Sequence, residues 1–221
     1  MDATIKIGGS LANYPEKLRQ LGSLIFEMSA KNRFIIVPGG GSFSDVVREM
    51  DKKFDLSSQI SHEMAIHGMD QYGLLLTQII PNSKPIYSIR EAIFSEIKEP
   101  LIFLPSQELS NNKELESSWR VTSDSIAAFI AIKTNSQKLI LVTDVDGIYD
   151  MDPKKFRSTF FHQTIKISEL IKKDHRTSVD LYLPRFLSNN FIESFVVNGK
   201  YPERINEILL GKKVICTRII N

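Results

Sequence analysis

The feature that most narrows the fold of this chain is a set of short runs, four or five residues long, that are apolar on both faces. Phe-Ile-Ile-Val at 34–37, Leu-Ile-Phe-Leu at 101–104 and Lys-Leu-Ile-Leu-Val at 138–142 show no alternation of apolar and polar residues. A strand with one wet face alternates, so these runs predict strands covered on both sides. Between them the period changes. Leu18, Leu21, Ile25 and Met28 recur at helical spacing over 15–29, and helices are likewise predicted over 43–54, 59–80, 90–98, 123–133, 168–173, 184–189 and 202–210. Further strands are predicted over 4–7, 85–89, 194–197 and 214–219. Strands covered on both faces and separated by helices predict an α/β fold, a three-layer αβα sandwich with a mainly parallel central sheet. No Pro/Gly/Ser-rich linker, repeat or low-complexity stretch divides the chain, so residues 1–221 are expected to form one domain, with room for two lobes.

Charge and cysteine usage exclude several functions. Twenty-eight Lys and Arg against 26 Asp and Glu give a net charge of +2, which predicts no nucleic-acid or anionic-membrane partner. The one cysteine, Cys216, makes no intrachain disulfide and no Cys-rich zinc site, which suits a cytoplasmic location. No apolar run approaches the ~18–20 residues of a membrane span. The opening Met1-Asp2-Ala3-Thr4 has no basic region and leads into a strand, so no cleaved signal peptide is expected.

Two glycine clusters stand at strand-to-helix turns: Gly8-Gly9-Ser10, and Gly39-Gly40-Gly41-Ser42 after Pro38. Ligands of open α/β sheets sit beyond the carboxyl ends of the strands. Glycine there permits positive φ and close approach, and a following helix N-terminus favours an anion. Two such turns in corresponding positions point to phosphate binding. Neither fits the P-loop spacing, and Ser44 stands where a dinucleotide fingerprint needs its third glycine. Lys6 interrupts an apolar strand two residues before the first cluster, which would bring its ammonium to the phosphate end.

Three more stretches carry chemistry. Thr143-Asp-Val-Asp-Gly-Ile-Tyr-Asp-Met-Asp-Pro-Lys-Lys155 follows the strongest strand. Its spacing is not that of an EF-hand, but it suits a nucleoside site with Lys154 or Lys155 as a second cation. In Trp119-Arg-Val-Thr-Ser-Asp-Ser125, Thr122 or Ser123 is a natural helix cap and Asp124 suits the first turn. Asp180 is open to two readings, a turn or cap role and an acceptor contact. His62 and His67 mimic a metalloprotease pair, but five residues apart they diverge by roughly 140° around a helix. Phe156, Phe160 and Phe161 among Lys154, Lys155 and Arg157 suit ordinary packing and a solvated face.

Together these segments resemble the amino acid kinase family. The resemblance rests on Lys6-Ile-Gly-Gly-Ser10, Pro38-Gly-Gly-Gly-Ser42, Thr122-Ser-Asp-Ser-Ile-Ala127, Thr143-Asp-Val-Asp-Gly-Ile-Tyr149 with Asp152-Pro-Lys154, Asn198-Gly199 and Cys216-Thr-Arg-Ile219. It implies an open αβα sandwich, transfer of the ATP γ-phosphate to a small-molecule substrate, Mg²⁺ and a homo-oligomer. It implies catalytic roles for Lys6, Asp124 and Lys154, with Asp124 orienting the lysines. It places ATP at Gly8, Gly9, Ser10, Thr143, Asp144, Asp146, Gly147, Tyr149, Asp152 and Pro153, and the acceptor phosphate at Gly39, Gly40, Gly41 and Ser42. Ser61–Asp70, Ser118–Ser125, Thr177–Asp180 and Phe195–Arg204 look like the subgroup of methanofuran biosynthesis, whose acceptor is an aminomethylfuran-methyl phosphate and whose product is the diphosphate. Isopentenyl phosphate kinases carry a His where Asp45 stands, and the turn at Ser42-Phe43-Ser44 continues differently from that of UMP kinases. Isopentenyl phosphate, UMP, an amino-acid carboxylate and a non-catalytic nucleotide or oxyanion binder of the same fold are the alternatives.

Overall fold

A computed structural model describes residues 1–96, 98–110, 112–173 and 175–221. In chain order the elements are β1 (Ala3–Ile7), a 3₁₀ turn (Gly9–Asn13), α1 (Pro15–Ser29), β2 (Phe34–Pro38), α2 (Gly41–Phe54), α3 (Ser58–Ile79), β3 (Lys84–Ile86), α4 (Ile89–Phe94), β4 (Leu101–Phe103), α5 (Ser106–Leu109), α6 (Ser123–Lys133), β5 (Lys138–Thr143), β6 (Ile148–Tyr149), β7 (Phe161–His162), β8 (Thr164–Lys166), α7 (Ile167–Lys172), α8 (Leu183–Asn189), β9 (Glu193–Asn198), α9 (Glu203–Leu209) and β10 (Thr217–Ile220).

Among the described residues, eight strands form one sheet in the order β3-β4-β2-β1-β5-β9-β10-β8. Six of them, β3 to β9 in that order, run parallel; β10 pairs antiparallel with β9, and β8 parallel with β10. The sheet is mainly parallel and helices cover both faces, as the apolar runs predict.

Period-two alternation assigns each strand residue to a layer. Ala3, Ile5, Ile7, Ile36, Ile140 and Val142 pack with Leu21, Leu76 and Ile205 of α1, α3 and α9. Ile35, Val37, Leu139 and Leu141 pack on the opposite face with Ala127 and Phe129 of α6 and Leu187 of α8. Thr4 and Lys6 alternate with Ala3, Ile5 and Ile7, so they face the α6 layer, where both are buried and find polar partners. Thr4 Oγ1 lies 2.8 Å from Ser136 Oγ.

Several boundaries differ from the sequence reading. The strand predicted over 85–89 stops at Ile86, because the Ser88 hydroxyl accepts from Glu91 N (3.1 Å) and starts α4. That helix ends at Phe94 rather than at 98, and residue 97 of the predicted span lies outside the described residues. The last strand begins at Thr217 instead of 214. Among the described residues, no helix is long and apolar enough to cross a membrane. Ile140, fully buried in the middle strand β5, is expected to cost about 2–5 kcal/mol when replaced by Ala, read as a lowered urea midpoint at unchanged m-value.

Candidate active site

The register of three parallel strands builds the site. Ile7 pairs with Pro38 on one side and Val142 on the other, so β1, β2 and β5 end at one level and their following turns emerge together. Gly8 N donates to Val142 O and Gly39 N to Ile7 O, both at 2.8 Å. The turns then meet backbone to backbone. A Cβ on Gly9 would lie 2.2 Å from Gly41 Cα and N, and one on Gly39 2.6 Å from Gly9 N. Gly41 itself has φ +55°. Glycine is therefore required by the contact between the turns, beyond any ligand. Gly8, Gly9, Ser10, Gly40, Gly41 and Ser42 line one cavity of about 340 Å³. Gly39 is not among its lining residues; it forms the close contact with Gly9.

Lys6 also lines this cavity, and its Nζ lies 2.7 Å from Asp124 Oδ1, with both side chains more than nine-tenths buried. The contact is an ion pair rather than an aligned hydrogen bond: among the described residues no donor is aimed at Asp124 Oδ1. Burying a charged pair is costly, and it survives where further polar groups fix the geometry. Asp180 supplies that fixing. Its backbone N–H donates to Asp124 Oδ2 (3.1 Å), and its buried carboxylate accepts from Thr122 N (2.9 Å), Thr122 Oγ1 (3.0 Å), Ser125 N (3.0 Å), Ser125 Oγ (2.5 Å), Tyr182 N (3.1 Å) and Leu183 N (2.8 Å). Burial first, and the neighbouring Asp124 charge second, push the Asp180 pKa upward, against the pull of its donors.

This corrects one expectation and decides another. Thr122 is the N-cap residue of α6, but its own side chain caps nothing and donates to Asp180 instead. Of the two readings of Asp180, the cap is what the contacts show.

A second cavity, of about 450 Å³, adjoins the first and shares Ser10, Thr143, Arg176 and Ser178 with it. Thr143, Asp144, Gly147, Tyr149, Asp152, Pro153, Lys154 and Lys155 line it, so the acidic loop is brought beside the glycine turns. Lys154 Nζ donates to the buried Asp144 carboxylate. Among the described residues, Asp124 thus pairs with Lys6 alone, while Lys154 has its own carboxylate. Asp146 differs from the expectation. Its carboxylate accepts from Arg204 Nη1 (2.5 Å) and Asn198 Nδ2 (3.1 Å), and it does not line the cavity. The short β6–β7 pairing folds the loop back. Asp150 below it contacts Lys173 Nζ and His162 Nε2, both at 2.7 Å, and these hydrogen bonds, Lys173's first, hold its carboxyl below the usual range.

The outer wall of the first cavity is less legible in the sequence. Arg48 lies two turns into α2, its guanidinium 4.7 Å from the Trp119 ring centre and 2.9 Å from Asp45; Trp119 Nε1 donates to Asp51 (2.6 Å). His62 lines the same wall, and burial lowers its pKa against raising contacts from Ser118 and Glu116. The signal was helical spacing: Gly41, Ser44, Asp45 and Arg48 share one face of α2, as His62, Ala65, Ile66 and Met69 share one of α3. Arg176, at the junction of the two cavities, has no such signal.

Asp180→Ala removes the acceptor of six donors and is expected to cost about 3–5 kcal/mol. Asp180→Asn retains the volume and loses less. Chemical denaturation of the two variants beside the wild type measures the difference.

The family model described as "Amino acid kinase family" matches residues 4–183. The [5-(aminomethyl)furan-3-yl]methyl phosphate kinase of Methanocaldococcus jannaschii is 36% identical over 220 residues, covering 98% of this chain and 96% of that one. Among solved structures, uridylate kinase from Archaeoglobus fulgidus superposes with a TM-score of 0.76 at 22% identity, over 100% of both chains. The product complex of isopentenyl phosphate kinase from T. acidophilum gives 0.67 at 20%, again over 100% of both. With the order of motifs, the fold and nearly the whole length in agreement, this chain belongs to the amino acid kinase family.

Proposed function

We propose that the chain is an ATP-dependent kinase that moves the γ-phosphoryl group onto a small phosphorylated acceptor, an aminomethylfuran-methyl phosphate, to give the diphosphate. The observation that carries the reading is the buried Lys6–Asp124 pair in a cavity walled by two interlocked glycine turns. A relative named for that acceptor, 36% identical along nearly the full chain, supports the acceptor class.

Phosphoryl transfer asks mainly for alignment and for charge neutralisation on the moving group. An oxygen of the acceptor phosphate forms a bond to Pγ as the bond from Pγ to the β–γ bridging oxygen breaks, and ADP leaves with the electron pair. The attacking oxygen is already anionic, so no general base is needed. Lys6, its ammonium held by Asp124, contacts the transferring group. Lys154, held by Asp144, serves the donor phosphates from the other cavity, with Lys155 next to it. Amides of Gly8, Gly9 and Ser10 face the donor; Gly40, Gly41 and Ser42, at the start of the 14-residue α2, receive the acceptor phosphate. Gly39 makes that arrangement possible through its contact with Gly9. Thr143, Gly147, Tyr149, Asp152 and Pro153 surround the nucleoside, and Asp146 acts at one remove by tying the loop to Arg204 and Asn198.

Asp124 and Asp144, which border the two cavities, are each taken up by a lysine, and among the described residues no three His, Cys, Asp or Glu are grouped to hold a metal. That fits a Mg²⁺ carried by phosphates and water rather than by a protein cage. Bound there, it neutralises phosphate charge. We also take residues 1–221 as one domain. Exposed Ile60, Leu74 and Leu75 on α3 support a homo-oligomer, and the free Cys216 suits a cytoplasmic setting.

Purified protein should release ADP from ATP and Mg²⁺ with the aminomethylfuran-methyl phosphate, and much less with UMP, isopentenyl phosphate or glutamate. Absence of turnover with every acceptor, with ATP still bound, would mark a binder instead. Lys6→Met should lower kcat by about 10³-fold, a loss typical of removing a preorganised charge from a transition state, while circular dichroism reports an intact fold. Near-normal turnover would remove Lys6 from the centre of the mechanism.

A further inference from the structure

We infer that Arg176 is a catalytic residue, an arginine that grips the transferring phosphoryl group at the seam between the donor and acceptor cavities. The inference rests on the kinase reading above and adds a residue that the family motifs do not supply.

Position is the first reason. Among the described residues, four line both cavities, Ser10, Thr143, Arg176 and Ser178, and Arg176 alone of these is charged. Donor and acceptor phosphates placed in the two cavities must meet where those cavities join, so a guanidinium there faces the atom in transit.

Charge is the second. Each other Lys or Arg lining either cavity has a carboxylate within 4.0 Å: Lys6 has Asp124, Arg48 has Asp45, Lys154 has Asp144 and Lys155 has Asp152. Those pairs are locally neutral, whereas a triphosphate meeting a phosphate monoester concentrates negative charge that must be offset in the transition state. Among the described residues, Arg176 makes no ion pair and no hydrogen bond, and it is exposed. It is the cationic lining side chain whose charge is not already matched.

Anchoring is the third. Two residues on, Ser178 Oγ donates to Gly147 O (2.9 Å), and four residues on, Asp180 is fixed by its donors. The guanidinium therefore extends from a backbone tied both to the acidic loop and to the Lys6–Asp124 support. Its planar fork of donors matches phosphate oxygens two at a time, which an ammonium does not.

The test compares wild type with Arg176→Gln, Arg176→Lys and Arg176→Ala. Since Arg176 holds nothing in place, the thermal unfolding midpoints should coincide. With wild-type turnover established, kcat of Arg176→Gln should fall roughly 10²–10³-fold, within the range that arginine supply gives phosphoryl-transfer enzymes. KM for ATP should move less than about threefold, Arg176→Lys should recover part of the rate, and guanidinium chloride at low millimolar concentration should partly rescue Arg176→Ala. ADP with aluminium fluoride, Mg²⁺ and acceptor should bind the Gln variant more weakly, while ADP alone binds equally. An unchanged kcat, or a change confined to KM, overturns the role of Arg176 and leaves the kinase reading standing. Lack of turnover by the wild type with every acceptor sinks that reading, and the inference with it.

Discussion

Two stretches of backbone meet at the end of this sheet with no room for a side chain between them. The Gly9–Gly41 approach follows from the register of β1 with β2, which ends both strands level, and from the absence of Cβ atoms at the turns. Everything chemical is arranged around that contact. It leaves the amides of both turns bordering one cavity and fixes the width of the space into which Lys6 projects. Either turn carrying a side chain at the contact would push the other away, and the two halves of the cavity would no longer be set by the sheet.

The second ordering principle is that the cations are oriented by carboxylates more buried than the lysines they hold. Lys6 has Asp124 and Lys154 has Asp144, and the Asp side chains are 4% and 6% exposed. Such pairs are poor contributors to stability, because desolvation offsets most of their attraction. Their value is positional: each carboxylate sets where its lysine's ammonium stands. Asp180 extends the same logic outward. One carboxylate collects the N-terminal donors of α6 and the amides that begin α8, and its own amide holds Asp124.

Much of this was legible in the residues. Strands apolar on both faces could only be interior to a covered sheet, and Lys6 stood out because a lysine in such a strand needs a destination. The glycine turns were legible as turns, but the reason for glycine was incomplete, since the contact between clusters 30 residues apart depends on strand pairing. Elements of two to four residues, α5, β6, β7 and β8, carry no signal of their own, because their stability comes from neighbours rather than local preference. The antiparallel β10 could not be told from a parallel strand by composition. Asp180 illustrates the limit best. Its donors at Thr122 and Ser125 lie more than fifty residues away in the chain, so spacing could not disclose the cap. Asp146 shows the reverse: it sits in the right motif, yet Arg204 and Asn198, remote in sequence, draw it aside.

The glycine contact also restricts how this molecule could be re-tooled. Bends that already touch cannot be narrowed, and a side chain at the contact would only force them apart, so the glycine side of the cavity leaves little room for variation. Variation is freer in the rest of the lining, where Asp45, Arg48, His62 and Trp119 stand on α2, α3 and the segment before α6. A cavity with one unalterable side and one editable side can change what it admits without changing the sheet beneath it.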